Sequence, residues 1–259
     1  MADAAGAPLV LHGRRGAIIA AAAYPDAHDG WFEHAYWRDA GAVADETTGR
    51  GEVLVVEHGG ETWALRHYHR GGLVAKLIED HYLWLGLERT RAFREWRLLA
   101  SLAAAGLPVP RPVAARVNRT GPIYTADIIT VFLPDTRRLS GYLADGAVPP
   151  DVWEKIGRMV RAFHDRGVQH PDLTAHNILL DSHGEVFLVD FDNAAIRPPG
   201  RWQEAGLARL ERSLRKVAME TGTEFDPAAW AEVEQAYRSA PRAAGRVNGT
   251  GPGTEPGAA

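Results

Sequence analysis

The sequence predicts an α+β fold in two unequal lobes. Short β-rich runs gather in the first half of the chain, amphipathic helices fill the second, and one further hairpin lies among those helices. A length of 259 residues suits one large domain or two small ones. Within an Ala/Gly-rich leader, 1–25, short strands are expected at 9–12 (LVLH) and 17–20 (AIIA). Runs 51–57 (GEVLVVE) and 62–68 (TWALRHY) flank His58-Gly59-Gly60-Glu61, a hairpin signature. At 91–105 the apolar residues Phe93, Trp96, Leu99 and Leu102 recur at helical spacing; Gly106 stops the helix, and Pro108 and Pro110 follow. Residues 122–132 (PIYTADIITVF) read as a buried strand. A second amphipathic helix, 152–167, runs through Trp153, Ile156, Met159, Val160 and Phe163. Apolar strands at 177–180 and 185–190 are joined by Asp181-Ser182-His183-Gly184, and helices are expected at 202–217 and 227–237. The tail, 241–259, is dense in Gly and Pro and has almost no apolar anchor, so it buries too little to offset chain entropy and is expected to be disordered. The division expected is a leader (1–25), a first lobe (26–133), a second lobe (134–240) and the tail (241–259).

Composition narrows the function. Lys and Arg number 29 against 33 Asp and Glu, a net charge of −4, so the chain is not built to wrap nucleic acid and no nucleic-acid partner is expected. With no cysteine, disulfide scaffolds, thiolate metal sites and cysteine nucleophiles are excluded, which fits a reducing compartment. The longest apolar stretch, 17–24, falls far short of the roughly 20 residues a membrane-spanning helix needs.

The chemistry concentrates at 170–177, HPDLTAHN. Asp172 and Asn177 stand five apart in a polar loop between a helix and an apolar strand. Asp190 ends the next apolar strand, and the hairpin between them returns the chain so that three oxygen-bearing side chains converge at one sheet edge. A carboxylate and an amide oxygen suit Mg²⁺, a hard ion that bridges phosphates. A further carboxylate able to accept a hydroxyl proton completes a phosphoryl-transfer site.

On these residues the sequence resembles the protein-kinase-like superfamily: HPDLTAHN is similar to its catalytic loop, and Asp190-Phe191-Asp192 to its D-F-G, with Asp192 in the glycine's place. The resemblance implies a two-lobed protein-kinase-like fold with a small antiparallel-sheet N-lobe and a short, mainly helical C-lobe. It implies ATP and Mg²⁺, with Asp172 as catalytic base and Asn177 and Asp190 on the metal. Gly49 and Gly51, in Thr48-Gly49-Arg50-Gly51-Glu52-Val53, fall where a nucleotide-covering loop belongs. Arg66 stands where a phosphate-contacting lysine is usual, with Lys76 as a rival and Glu95 as the carboxylate partner. The strand ending at Val131 and Leu133 corresponds to the hinge that offers backbone groups to adenine.

About a dozen residues separate Asp190 from the helix near Trp202, and no A-P-E occurs, so a peptide-docking activation loop has no room. The run Trp63 to Gly72, Arg89 to Phe93, the LPVPRP segment at 107–112, HPDLTAHNILLD and Val189-Asp190-Phe191-Asp192 together resemble the 3-deoxy-D-manno-octulosonic acid (Kdo) kinase family over about 31–217. That resemblance implies phosphorylation of a Kdo hydroxyl on a lipid A precursor during lipopolysaccharide core assembly. The place implied is the cytoplasmic face of a Gram-negative inner membrane. From 61 to 120 the chain carries ten basic residues against five acidic, a local +5 that could face anionic headgroups, with Tyr82 to Leu85 adding interfacial contact. The alternatives are a kinase of another small acceptor, a heptose or an aminoglycoside, and a catalytically inactive kinase-like binding module.

Overall fold

The structure, a computed structural model, describes residues 6–47, 53–68 and 81–241. The chain divides into two compact units: Met1–Ala104 with Val109–Asp135, and Ala105–Pro108 with Thr136–Ala259.

The first unit is an antiparallel sheet with one long helix. Its strands are β1 (Leu9–His12), β2 (Gly16–Ala20), β3 (Val43–Thr47), β4 (Val53–His58), β5 (Glu61–His67), β6 (Tyr82–Leu83), β7 (Pro112–Thr120) and β8 (Ile123–Val131). They are ordered β1-β2-β7-β8-β5-β4-β3, with β6 also paired to β8. The two strands expected in the leader therefore belong to this sheet, β2 running antiparallel to β7 with Ile18 opposite Arg116. The expected hairpin forms between β4 and β5, turning on Gly59 and Gly60 at φ +58° and +82°, values that only glycine reaches cheaply. A short helix α1 (His34–Asp39) precedes β3, behind a 3-10 turn (Asp29–Phe32). The next helix, α2 (Arg91–Ala104), buries Phe93, Trp96, Leu99 and Leu102 as their spacing requires.

β7 carries no strand signature in the sequence, although it is one of the two longest strands. Prolines open it, and Ala114 and Ala115 lack the branched side chains that mark a strand. Trp31, Phe32 and Trp37, from the 3-10 turn and α1, pack with Trp63 and Leu65 of β5 into an aromatic core. An ionic chain centred on the buried pair Arg116 and Asp127 crosses the same face. His67 Nδ1 lies 2.6 Å from Asp127 Oδ1, Arg116 Nε donates to Asp127 Oδ2 at 2.9 Å, and Arg116 Nη1 donates to Glu33 Oε1 at 2.5 Å.

The second unit is mainly helical: α3 (Leu139–Ala144), α4 (Val152–Asp165), α5 (Trp202–Thr221) and α6 (Pro227–Ser239). Short strands β9 (Arg137–Arg138), β10 (Val168–Gln169), β11 (Ile178–Leu180), β12 (Val186–Leu188) and β13 (Ala195–Ile196) complete it. β11 and β12 form the expected second hairpin, Ile178 opposite Leu188. α5 runs past the expected end at 217 because nothing breaks it until Gly222, whose φ of +70° caps it left-handedly. α6 starts at Asp226, whose side chain accepts from Ala228 N at 2.8 Å.

α4 and α6 touch backbone to backbone at Gly157, where a Cβ would lie 2.3 Å from the Val233 carbonyl. Gly157→Ala should therefore separate the helices and lower stability by about 1–3 kcal/mol, read as a lower urea midpoint. His164, also on α4, is buried against Trp202 and Tyr237, with Nδ1 2.9 Å from the Tyr237 hydroxyl oxygen. Desolvation depresses its pKa from 6.5 to about 4, so the unfolded chain binds this proton first. The associated stability is full above pH 6.5 and is lost as pH falls towards 4, about 3 kcal/mol in all. Urea melts at pH 7 and pH 4.5 should show a smaller acid loss for His164→Gln than for the wild type.

Candidate active site

The loop 170–177 is braced by one imidazole. His170 is buried, its Nδ1 accepts the Asp172 N–H at 3.2 Å, and its Nε2 lies 3.1 Å from the Val189 carbonyl at the end of β12. An acceptor at Nδ1 leaves the proton on Nε2, so the ring is neutral and donates to Val189. Burial pushes its pKa down and keeps that form populated. Leu173 and Ala175 are buried anchors of the loop, whereas the Asp172 side chain is 58% exposed.

Asn177 closes the loop. Its Nδ2 donates to the Asp172 carbonyl at 2.9 Å and to Asp172 Oδ2 at 3.1 Å. Among the described residues Asn177 Oδ1 has no protein partner. The Val189 N–H donates to the Asn177 carbonyl at 2.9 Å, so Asp190 follows directly on the residue paired with Asn177. The hairpin does what the spacing required, bringing the chain bearing Asp190 back beside the loop. Asp190 has φ +65°, a left-handed conformation uncommon outside glycine, at the point where the strand ends. The next residue, Phe191, is buried against Phe163 and edge-on to His170. An amide oxygen and a carboxylate are donors for a hard divalent ion that keeps waters and takes phosphate oxygens for the rest of its shell.

In the first unit, Arg66 on β5 and Glu95 on α2 are brought together: Arg66 Nη2 donates to Glu95 Oε1 at 2.6 Å. Glu95 is buried, and its other oxygen accepts from the Tyr68 hydroxyl at 2.5 Å. Burial, with Glu95 alongside, raises the Tyr68 pKa well above the ordinary phenol value, so the hydroxyl stays a donor. Arg66 also lies over the Tyr68 ring, 5.1 Å from its centroid. Tyr68 stands in a β-rich run of the sequence, where nothing local signals that it shares Glu95. Val131 ends β8, with its N–H bonded to the Arg111 carbonyl at 2.8 Å, and Leu133 follows just beyond. Gly49, Gly51 and Lys76 lie outside the described residues.

Residues 34–237 match the family model described as "Lipopolysaccharide kinase (Kdo/WaaP) family". The chain belongs to this family. Among curated members of the Kdo/WaaP family, the chain is 42% identical to the 3-deoxy-D-manno-octulosonic acid kinase of Photobacterium profundum, over 80% of the chain and 87% of that relative. It is 39% identical to the enzyme of the same name from Vibrio cholerae serotype O1, over 76% of the chain and 83% of that relative. A solved structure of WaaP in complex with acyl carrier protein superposes with a TM-score of 0.55 at 19% identity, covering 78% of this chain and 81% of that one. The Kdo/WaaP chain is thus a phosphotransferase with a kinase-like α+β fold.

Glu95→Ala should leave a buried phenol and a half-buried guanidinium without their acceptor. The expected cost is about 2–4 kcal/mol in chemical unfolding, with Glu95→Gln losing less because the amide oxygen can still accept.

Proposed function

We propose that the chain is a Kdo kinase, transferring the γ-phosphoryl group of ATP to a hydroxyl of the Kdo sugar on a lipid A precursor in lipopolysaccharide core assembly. The observation that carries the reading is the Asp172–Asn177 pair in the buried-brace loop, in a chain aligned along most of its length with relatives named for that activity. Asp172 is the general base: Asn177 holds Oδ2, and Oδ1 remains to accept the proton of the attacking hydroxyl. Asn177 and Asp190 would hold Mg²⁺, which when bound neutralises charge on the phosphates. Arg66, oriented by Glu95 and Tyr68, contacts the phosphates; a guanidinium has five donors, so pairing with Glu95 is compatible with that contact. Gly49 and Gly51 cover the phosphates, and Val131 and Leu133 offer backbone groups to the adenine. Since no reacting group of the chain becomes covalently attached, the rate comes from positioning and charge neutralisation.

The acceptor is lipid-borne, and membrane contact follows as part of the same proposal. Among the described residues no helix is long and apolar enough to cross a membrane. Leu83 and Leu85 are 65% and 62% exposed, flanking Trp84, whose ring lies under Arg119 at 4.8 Å. Exposed apolar side chains among cations suit peripheral contact with an anionic leaflet on its cytoplasmic side.

Incubation with ATP, Mg²⁺ and Kdo-bearing lipid A precursor should yield, by mass spectrometry, a product carrying one added phosphoryl group on Kdo. Phosphate appearing only on a heptose or an aminoglycoside would overturn the assignment. Asp172→Ala should lower turnover about 10²–10⁴-fold while nucleotide binding, followed by calorimetry, persists.

A further inference from the structure

Helix α5 lies in register along the catalytic loop. A Cβ at Gly206 would come 3.4 Å from His164 Nε2 and 3.8 Å from Leu173 Cδ2, so the helix packs here at ordinary van der Waals distance from the loop. Two turns on, Ser213 Oγ accepts the Ala175 N–H at 3.1 Å and fixes the helix along its axis. Arg209 stands between them, three residues from the first contact and four from the second, on the same face of the helix. Its Nη1 is 3.7 Å from Asp172 Oδ1, too long for a hydrogen bond, and no other ion pair of Arg209 is present among the described residues. With its side chain 49% exposed, the guanidinium stands beside the proposed base with its donors uncommitted.

An acceptor hydroxyl that reaches Asp172 must bring the rest of its sugar alongside. The sugar in the proposed reaction is an acid, as its name states. Its carboxylate would be repelled by Asp172 unless a cation stood next to the base, and a guanidinium binds a carboxylate through two parallel hydrogen bonds. We propose that Arg209 is a specificity-determining residue that binds the carboxylate of the acid-sugar acceptor while Asp172 receives the hydroxyl proton. This inference rests on the Kdo kinase reading and goes further by naming the group the enzyme recognises.

The test compares full-length wild type, Arg209→Ala and Arg209→Lys on the Kdo-bearing precursor and on the same precursor with its Kdo carboxyl methyl-esterified. In the wild type, esterification should lower kcat/KM about 10–100-fold, the range one charge-assisted hydrogen-bonded pair supplies. Arg209→Ala should lose a similar factor on the acid, mainly as a higher acceptor KM. Its ATP KM should be unchanged, and it should no longer distinguish acid from ester. Arg209→Lys should recover part of the loss on the acid alone. A wild type that phosphorylates both acceptors equally well overturns the inference and leaves the Kdo kinase reading standing. So does an Arg209→Ala variant that raises the ATP KM or slows both acceptors by the same factor, since the guanidinium would then serve the phosphates. A wild type that phosphorylates neither overturns both readings.

Discussion

The site depends on a neutral, buried imidazole. His170 joins the loop that carries Asp172 to the strand end that leads into Asp190, and it does so by using one ring nitrogen as acceptor and the other as donor. A protonated ring would offer a second N–H to the Asp172 N–H, donor facing donor, and the loop would lose its support. Desolvation works against that protonation, so the burial that packs His170 against Phe191 also preserves the tautomer the loop requires. Asn177 then ties the far end of the loop back to Asp172.

In the first unit the equivalent constraint falls on β5, because adjacent residues of a strand face opposite ways. Trp63, Leu65 and His67 point to the face covered by Trp31, Phe32 and Trp37, where Asp127 and Arg116 compensate each other's buried charge. Arg66 points to the other face, where Glu95 of α2 receives it. A slip of one residue would place Arg66 in the aromatic core and Leu65 against a buried carboxylate, so register and charge pairing enforce each other. The Arg–Glu pair is consequently fixed by the aromatic cluster on the opposite side of the sheet, which touches neither residue.

What the sequence made legible was whatever repeats or punctuates locally. The spacing of Phe93, Trp96, Leu99 and Leu102 and the Gly106 stop defined α2 almost to its ends, and Gly59-Gly60 defined the hairpin. The Asp172–Asn177 pair was legible because only five residues separate its members, and the return of the chain to Val189 beside Asn177 because one hairpin makes it. β7 was not, since its first six residues are all buried and so show no alternation, and its two branched valines, Val113 and Val117, are separated by Ala114, Ala115 and Arg116. Pairings set only by the tertiary fold also left no local mark: Tyr68 with Glu95 across 27 residues, and Ser213 with Ala175 across 38.

The same geometry decides where acceptor specificity can reside. Within 170–177 nearly every group is committed to support: His170 and Asn177 to bracing, Leu173 and Ala175 to anchoring, and the Ala175 N–H to Ser213. Pro171, Asp172 and His176 alone are exposed; the proline has no polar side chain, the aspartate is the proposed base, and His176 is the one other exposed polar side chain of the loop. Changing any braced residue to suit a new acceptor would disturb the loop that holds Asp172. Helix α5 escapes that constraint, because its contacts with the loop fall at Gly206 and Ser213 and the exposed Arg209 and Arg212 between them make no hydrogen bond that braces the loop. Acceptor recognition placed on this helix, at the exposed turn that carries Arg209, would leave the bracing of the loop untouched.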